Sequence, residues 1–423
     1  MDTLRESPEQ PAPRRRGLIP VDRRQFGKVA AALGFHAAVG GWHTTLRDGE
    51  VPTLERVVAR ALAIGKAEAA KPAKYKLRCG TSVSKKTEEV MKFGVWEFAE
   101  DVARRSDGEI QIEVLGGASI CGEVNCHQKV AGKTIDLSIG SSQNAAPTFP
   151  YNNVLDYAYL WPSRASIFHF LYSPKSEQVF RKTVREKYGI EWLYSHAELR
   201  NIFLGLKFKD RPPLKRPDDI RGAKLRITGS QMGRIALTQF GANPVPVAWE
   251  ETLEGLKSGL LDGQETWSSA AASFGMGAVL SQEIWVEFFA GLGHMYTRAE
   301  VIDRMPGPLQ EAFREAAFAA QQWTQKNNEE ALVKIVGITD PAPPGTLWAK
   351  QGVKISKLTK KERLAWEELA SPQHNPKPWE EWRDKLTKIA GFDAYPELYK
   401  LAREIPEETP ATAVKPRRWW KET

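Results

Sequence analysis

From Tyr75 onward, the sequence alternates between two hydrophobic periods, and this alternation restricts the possible folds more than any other feature. Apolar residues occur at every second position around 75–79, 110–114 and 135–139, which is the period of a β-strand. Around 91–102 and 124–131 they recur at helical spacing instead. Strands that alternate with helices form a parallel sheet covered by helices. The pattern therefore predicts a doubly wound α/β fold.

The second half of the chain continues this pattern. Short apolar segments at 192–194 and 202–206 predict two further strands, and residues 232–240 predict a helix. From Pro308 to about Val336, helical spacing continues far beyond the ~11–12 residues of an average helix. A helix of this length could cross two lobes of a larger fold.

Composition and charge exclude several classes of protein. The 423 residues are 42% hydrophobic and 26% charged, as in globular proteins, so disorder and coiled coils are excluded. A mean hydropathy of -0.43 and the lack of any run of ~18 apolar residues exclude a polytopic membrane protein. The net charge of +8 is spread among interleaved acids and bases, which does not indicate a nucleic-acid binder. The length suits two ordinary domains or one large two-lobed unit.

The amino terminus has the layout of an export signal. Residues 1–28 carry seven basic side chains against four acids, and the uncharged segment 29–41 follows. The sequence RRQFGK at 23–28 resembles the bacterial twin-arginine pattern. We therefore predict a signal region at 1–41, a linker with a short helix at 42–74, and export to the periplasm.

Export changes the interpretation of the cysteines. Three cysteines are too few for a disulfide scaffold or a four-thiolate zinc site. In an oxidising compartment, Cys121 and Cys126 could close a small disulfide loop. They could also stay unpaired, or bind a metal together with His127. The sequence leaves these alternatives open, and Cys79 is expected to be a buried small hydrophobe.

No catalytic or cofactor-binding motif occurs in the sequence. It contains no G-x-S-x-G elbow, no H-E-x-x-H, no Walker loop and no strand-coupled G-x-G-x-x-G. The seven histidines are scattered singly along the chain. We therefore predict a protein that is not an enzyme and needs no cofactor or metal.

Three motifs in residues 213–267 carry a resemblance to a known family. PDDIRGAKLR at 217–226 is followed by FGANPVP at 240–246 and by ETLEGLKSGLLDGQE at 251–265. In this order the motifs resemble the solute-binding proteins of tripartite ATP-independent periplasmic (TRAP) transporters, of the dicarboxylate-binding type. The likeness covers about residues 75–400. It implies an α/β fold of the two-lobed periplasmic binding protein type (type II-like), with hinge-crossing strands and a long lobe-spanning helix.

The resemblance also implies which residues bind a ligand. The family's carboxylate-binding arginine corresponds to Arg226, and its supporting arginine on the hinge strand corresponds to Arg200. A guanidinium suits this role because it donates parallel N–H bonds to a carboxylate. Thr266 and Trp267 follow Glu265 where many relatives have Asn and Pro. That Asn bonds the ligand in the family, and here Thr266 offers a shorter hydroxyl and Trp267 an apolar wall in its place. Glu265 could support a metal-bridged ligand, or be a buried acid bonded to the opposing lobe.

Several aromatic residues lie in segments that border the cleft in the family. They either pack in the core or line the cleft, and in the second case an aromatic or longer aliphatic carboxylate becomes plausible. These residues are Trp161, Trp249, Trp267, Phe149 and Tyr151.

The expected organisation follows from the same resemblance. We expect one lobe from 75–199 with about 287–335, and a second lobe from 200–286 with about 336–405. Residues 406–423 form a basic tail, which we interpret as free, the alternative being contact with a membrane surface.

The resemblance implies a periplasmic protein that captures an organic acid and delivers it to a TRAP membrane permease. Its membrane contact would be through the permease alone. The alternatives are a ligand sensor for a receptor and a periplasmic enzyme on the same scaffold.

Overall fold

A single mixed sheet connects the part of the chain that the computed structural model describes, residues 73–421. The predicted signal region and nearly all of the predicted linker lie outside the described residues. Within them the sheet has nine strands, namely β1 (Tyr75–Gly80), β2 (Ile110–Leu115), β3 (Leu137–Ser141), β4 (Ile190–Gly205), β5 (Lys224–Ile227), β6 (Asn243–Pro246), β7 (Gly263–Thr266), β8 (Leu280–Arg298) and β9 (Lys354–Lys357).

Helices connect most of these strands and cover the sheet. They are α1 (Lys85–Met91), α2 (Val95–Arg105), α3 (Asn125–Ala131), α4 (Ser142–Ala145), α5 (Arg164–Tyr172), α6 (Pro174–Ser176), α7 (Lys182–Tyr188), α8 (Gln231–Gln239), α9 (Thr252–Lys257), α10 (Ser268–Ser273), α11 (Ala299–Asp303), α12 (Gly307–Ala331), α13 (Leu347–Gln351), α14 (Lys360–Ala370), α15 (Glu380–Ala390) and α16 (Tyr395–Leu401). No helix of residues 73–421 is both long enough and apolar enough to cross a bilayer.

The sheet contains two groups of parallel strands. Its order is β2-β1-β3-β8-β4-β7-β5-β6, and β9 pairs with β8. β1 pairs in parallel with β2 and β3, and β5 pairs in parallel with β6 and β7. The predicted alternation of strands and helices is therefore confirmed, with one doubly wound unit on each side of β4 and β8.

The antiparallel strands β4 and β8 join the two groups. They have 16 and 19 residues, about three times the length of an average strand. β3 pairs with residues 293–297 of β8, whereas β7 pairs with residues 201–204 of β4. Each long strand thus runs from one group to the other, as expected of hinge-crossing strands. The register between them shifts close to Arg200.

The long helix predicted from Pro308 to about Val336 is also present. It consists of α12 and a π-helical continuation at Leu332–Val336. The Gln321 side chain of α12 bonds both the amide and the carbonyl of Ser195 on β4, at 2.8 and 2.6 Å. Asn328 reaches the carbonyl of Ala197 at 3.4 Å. The helix is therefore fixed along the part of β4 that precedes the crossing.

The basic tail is docked on α12, so its interpretation as a free tail is wrong. Arg418 forms a two-pronged ion pair with Glu315 at 2.6 and 2.9 Å. Trp419 is buried, with the Arg181 guanidinium 4.1 Å from its ring. Trp420 and Lys421 also contact α12, through Glu311.

Candidate functional site

A cavity lies between the two strand groups. The space free of protein atoms there is about 290 Å³, and this figure includes space open to solvent. Its walls come from segments next to β1–β3, from segments next to β5–β7, and from the crossing strand β4. The lining residues are Met91, Glu123, Ser141, Asn144, Arg200, Arg226, Thr228, Trp249, Thr266, Trp267, Ala270 and Phe274.

Arg226 reaches the cavity because of the alternation along β5. Its neighbours Leu225 and Ile227 are buried in the apolar core, and Arg226 projects to the other face. Its Nε donates to the carbonyl of Val247 at 3.0 Å, and its guanidinium lies 5.3 Å from the ring of Trp249. Burial lowers the pKa of Arg226 to about 10, so the group still carries its charge at neutral pH.

One nitrogen of this guanidinium is unused. Arg226 is only 1% exposed, and its Nη2 has no hydrogen-bond partner among the described residues. A buried donor without an acceptor is costly, which is why such groups are rare in folded proteins. Arg226 also lines the cavity, so this unpaired donor belongs to a residue of the cavity wall.

Arg200 lies in the same cavity but is already paired. Its Nε forms an ion pair with the carboxylate of Glu265, and its Nη2 donates to the Glu265 carbonyl at 3.2 Å. The guanidinium also lies 5.1 Å from the ring of Trp267. Glu265 therefore offsets the charge of Arg200 from behind the cavity wall. Within residues 73–421, no group of three or more His, Cys, Asp or Glu side chains could hold a metal ion.

The apolar side of the cavity is aromatic. Trp249 packs edge-on against Phe274 with the ring centres 5.2 Å apart. Trp267 is 4% exposed, and its indole N–H has no partner among the described residues. Thr266 precedes it in β7 and lines the cavity as well. Two of the predicted tryptophans thus form a wall beside the two arginines.

Trp161 and Tyr151 do not reach the cavity, contrary to expectation. The Trp161 indole donates to the Leu155 carbonyl at 2.9 Å and packs against Phe170. The Tyr151 hydroxyl donates to the Val179 carbonyl at 2.7 Å. Both side chains are buried in the helical layer with their polar atoms occupied, and Phe149 belongs to the same core. The three rings therefore pack in one core cluster and not in the cavity wall.

Glu123 is a cavity residue that the sequence did not indicate. It lies in the loop 121–126, which a disulfide between Cys121 and Cys126 closes. Its carboxylate accepts bonds from Ser82 Oγ at 2.5 Å, the Ser141 amide at 2.9 Å and Asn144 Nδ2 at 3.3 Å. Burial raises the pKa of Glu123, and the three hydrogen bonds offset only part of this rise. The only signal in the sequence was an acid between two cysteines.

Contacts across the cleft join the two strand groups. The Glu250 carboxylate, which follows β6, accepts a bond from the Glu123 amide at 2.9 Å. Ser230 Oγ, at the start of α8, lies 3.2 Å from both Asn153 Oδ1 and Asp156 Oδ2. The structure therefore has the arrangement of a closed cleft.

Comparison with protein families gives one match over most of the chain. Residues 81–378 match the model of "bacterial extracellular solute-binding protein, family 7".

Curated relatives show partial similarity. The 2,3-diketo-L-gulonate-binding periplasmic protein YiaO of Escherichia coli is 28% identical over 170 residues, which is 40% of this chain and 50% of the relative. The C4-dicarboxylate-binding periplasmic protein DctP of Rhodobacter capsulatus is 25% identical over 297 residues, 67% of this chain and 80% of the relative.

Solved structures share the fold. A TRAP periplasmic solute-binding protein from Desulfovibrio salexigens, solved with bound orotic acid, superposes with a TM-score of 0.66 at 17% identity. The match covers 78% of this chain and 99% of that protein.

Proposed function

Because this chain belongs to family 7 of the bacterial extracellular solute-binding proteins, we propose that it binds an organic acid through Arg226 and delivers it to a TRAP-type permease. The family match confirms the resemblance to TRAP solute-binding proteins, and the shared fold confirms the two-lobed α/β architecture. The family is one of transport proteins. We propose that this chain likewise acts by binding and release, without catalysis.

The observation that carries the proposal is the unpartnered Nη2 of Arg226. A ligand carboxylate at this position would receive a charge-assisted bond from a buried guanidinium. The pair of Arg200 and Glu265 supports the same wall without competing for the ligand. Thr266 supplies a hydroxyl, and Trp249 and Trp267 supply apolar contact on the remaining side.

The known ligands of similar proteins support an acid without selecting one. The relatives are named for 2,3-diketo-L-gulonate and for C4-dicarboxylates, and the solved structure holds orotic acid. These compounds share a carboxylate and differ in the rest of the molecule. The common element is the part that Arg226 would bind.

We further propose that the chain is exported by the twin-arginine route through its region at 1–41. The lobes would follow the two strand groups, with 75–199 and about 287–335 on one side and 200–286 and about 336–405 on the other. Closure of these lobes over the acid would form the surface that the permease recognises.

The test begins with native mass spectrometry of the freshly purified protein, which identifies any co-purified acid. Calorimetric titration then compares the wild type with Arg226→Ala, Arg226→Lys and the control Arg221→Ala. Arg221 is exposed and bonds Asp218 on the surface.

We expect Arg226→Ala to weaken binding by roughly 30-fold or more, since truncating one partner of a buried charge pair costs ~2–5 kcal/mol. Arg226→Lys should retain part of the affinity because the ammonium group keeps the positive charge. It should not retain all of it, because the parallel N–H donors of the guanidinium are lost. Arg221→Ala should bind as the wild type does. Equal affinities in all four proteins, or turnover of the acid, would contradict the proposed function.

A further inference from the structure

The charged side chains in the cavity leave one cation unpaired. Only Arg200, Arg226 and Glu123 have ionisable side chains among the lining residues. Arg200 is neutralised by Glu265, which leaves Arg226 as the single cationic site. Glu123 lies on the wall next to β3, whereas Arg226 lies on β5. The cavity thus presents a positive group and a negative group from opposite lobes.

Glu123 is rigidly held and keeps one acceptor position. A carboxylate offers about four lone-pair sites. The Ser141 amide and Asn144 Nδ2 occupy Oε2, and Ser82 Oγ occupies one site on Oε1. Because three protein groups already donate to this carboxylate, its orientation is fixed before a ligand arrives. The remaining site on Oε1 can accept a bond from a ligand donor.

A second group on the same wall supports this assignment. Ser141 is 5% exposed and lines the cavity, and its Oγ has no hydrogen-bond partner among the described residues. A buried hydroxyl without a partner is suited to a polar ligand atom. The Ser141 hydroxyl can both donate a hydrogen bond to such an atom and accept one from it. The wall that carries Glu123 therefore suits a ligand hydroxyl.

From this arrangement we propose that Glu123 determines the specificity of the site, and that the ligand is a monocarboxylate carrying a hydroxyl or another hydrogen-bond donor away from its carboxylate. The inference rests on the proposed function, since it takes the carboxylate to bind Arg226. Glu123 accepts the donor at the other end of the ligand, and Ser141 completes that contact.

The same arrangement disfavours dicarboxylates. A second carboxylate would find no unpaired cation in the cavity and would lie close to the Glu123 carboxylate. Like charges at short range repel strongly where water is excluded. A hydroxyl in the same place instead donates a hydrogen bond to the carboxylate, and hydrogen bonds to charged groups are stronger than those between neutral groups.

The experiment uses matched triads of linear acids with four, five and six carbons. Each triad contains the monocarboxylate, its ω-hydroxy derivative and the dicarboxylate. Titration calorimetry measures all of them with the full-length wild type, with Glu123→Gln, and with the control Glu113→Gln, an exposed residue on β2. Because burial raises the pKa of Glu123, the titrations are made at mildly alkaline pH to favour the ionised carboxylate.

In the best-binding triad, we expect the wild type and Glu113→Gln to bind the hydroxy acid at least ~10-fold more tightly than the dicarboxylate, which corresponds to ~1.4 kcal/mol. In Glu123→Gln, the affinities for the hydroxy acid and for the dicarboxylate should lie within about 3-fold of each other. The repulsion of the second ligand carboxylate is removed, and the acceptor for the ligand hydroxyl is neutral. A wild type that binds dicarboxylates as tightly as hydroxy acids would overturn the inference. An unchanged ratio in Glu123→Gln would do the same.

Two further readouts keep the outcome clear. If Glu123→Gln does not fold, the wild-type ratio still decides, and Ser141→Ala should weaken hydroxy-acid binding several-fold without affecting the plain monocarboxylate. If carboxylates bind in an Arg226-dependent way without regard to Glu123, only the inference fails. If neither the triads nor any co-purified acid binds the wild type, the proposed function fails instead.

Discussion

Arg226 is held by contacts that leave part of its guanidinium unused. The bond to the Val247 carbonyl and the face of Trp249 fix the side chain without a ligand. A buried donor left without a partner costs about 1–3 kcal/mol. An anion that reaches Nη2 removes this cost. Since the side chain is already ordered, little rotamer entropy is lost on binding.

Trp267 and Trp161 form a matched pair of buried tryptophans, one at the cavity and one in the core. We expect Trp267→Phe to weaken binding of the co-purified acid by about 3–10-fold, because the indole that borders the cavity and faces Arg200 is lost. Trp161→Phe should lower the melting temperature and leave the affinity intact, since only the bond to Leu155 and core packing are lost. Fluorescence titration and thermal unfolding measure both effects. Equal losses of affinity in the two variants would contradict the placement of these residues.

Most of the site residues that the sequence identified lie in or next to the motifs of residues 213–267, and Arg200 was identified from the hinge strand. Arg226, Thr266 and Trp267 belong to or follow contiguous motifs, so their positions transfer from the family. Glu123 lies outside every motif and enters the cavity through a loop whose path depends on a disulfide. Trp161 was misplaced because closeness along the chain to a cleft segment does not determine which way a ring packs.

The loop 121–126 acts as one element of the site. Its disulfide brings Gly122 and Glu123 to the edge of the cleft, where the Glu123 amide bonds Glu250. A side chain at Gly122 would have its Cβ 2.5 Å from Glu250 Oε1, so the two segments approach as closely as glycine permits. The loop thus holds a ligand-facing acid and a cross-cleft contact at once.

Opening this disulfide should weaken ligand binding. We expect Cys121→Ser with Cys126→Ser to lower affinity several-fold, because a looser loop no longer fixes Glu123 and its amide. Calorimetry measures the affinity, and Cys79→Ala is the control, since that thiol is buried and free. The double variant should still bind in an Arg226-dependent way. Wild-type affinity in the double variant would show that the disulfide has no part in the site.

The hydrophobic periods predicted the parallel strands, whereas the crossing strands were expected only from the family resemblance. β1, β2 and β3 carry short apolar segments with clear periods. β4 was predicted as two strands because polar residues at 195–196, 198 and 200–201 interrupt its apolar pattern, although these residues are buried within the protein. β8 was not predicted, since a strand buried on both faces has no alternation. Such a strand is determined by its pairing with segments that are distant in the sequence, and the local hydrophobic pattern does not show this pairing.

On the scale of the whole molecule, the closed cleft depends on close contact between segments of the two lobes. Gly229 follows β5, and Pro147 follows α4 on the other side. A Cβ at Gly229 would lie 2.8 Å from Pro147 Cγ and 3.2 Å from its Cδ. A proline ring cannot turn away as a flexible side chain can. Nearby, Ser230 reaches Asn153 and Asp156, so the two surfaces are in polar contact as well.

Gly229→Ala should therefore hinder closure of the lobes without contacting the ligand. The backbone at Gly229 does not have a positive φ, so alanine can adopt its conformation and the strain falls on the contact with Pro147. If the added methyl lowers the closed population to a tenth, the apparent affinity falls about 10-fold. Small-angle scattering should then show a smaller compaction with the co-purified acid than in the wild type.

Gly233→Ala is the matched control for this prediction. It lies four residues further on, in α8, where the nearest atom to a new Cβ is 3.8 Å away on Phe289. Alanine fits there, and it suits a helix better than glycine does. Gly233→Ala should keep wild-type affinity and wild-type compaction, with equal or higher stability. If Gly229→Ala behaves in the same way as Gly233→Ala, closure does not depend on the contact with Pro147.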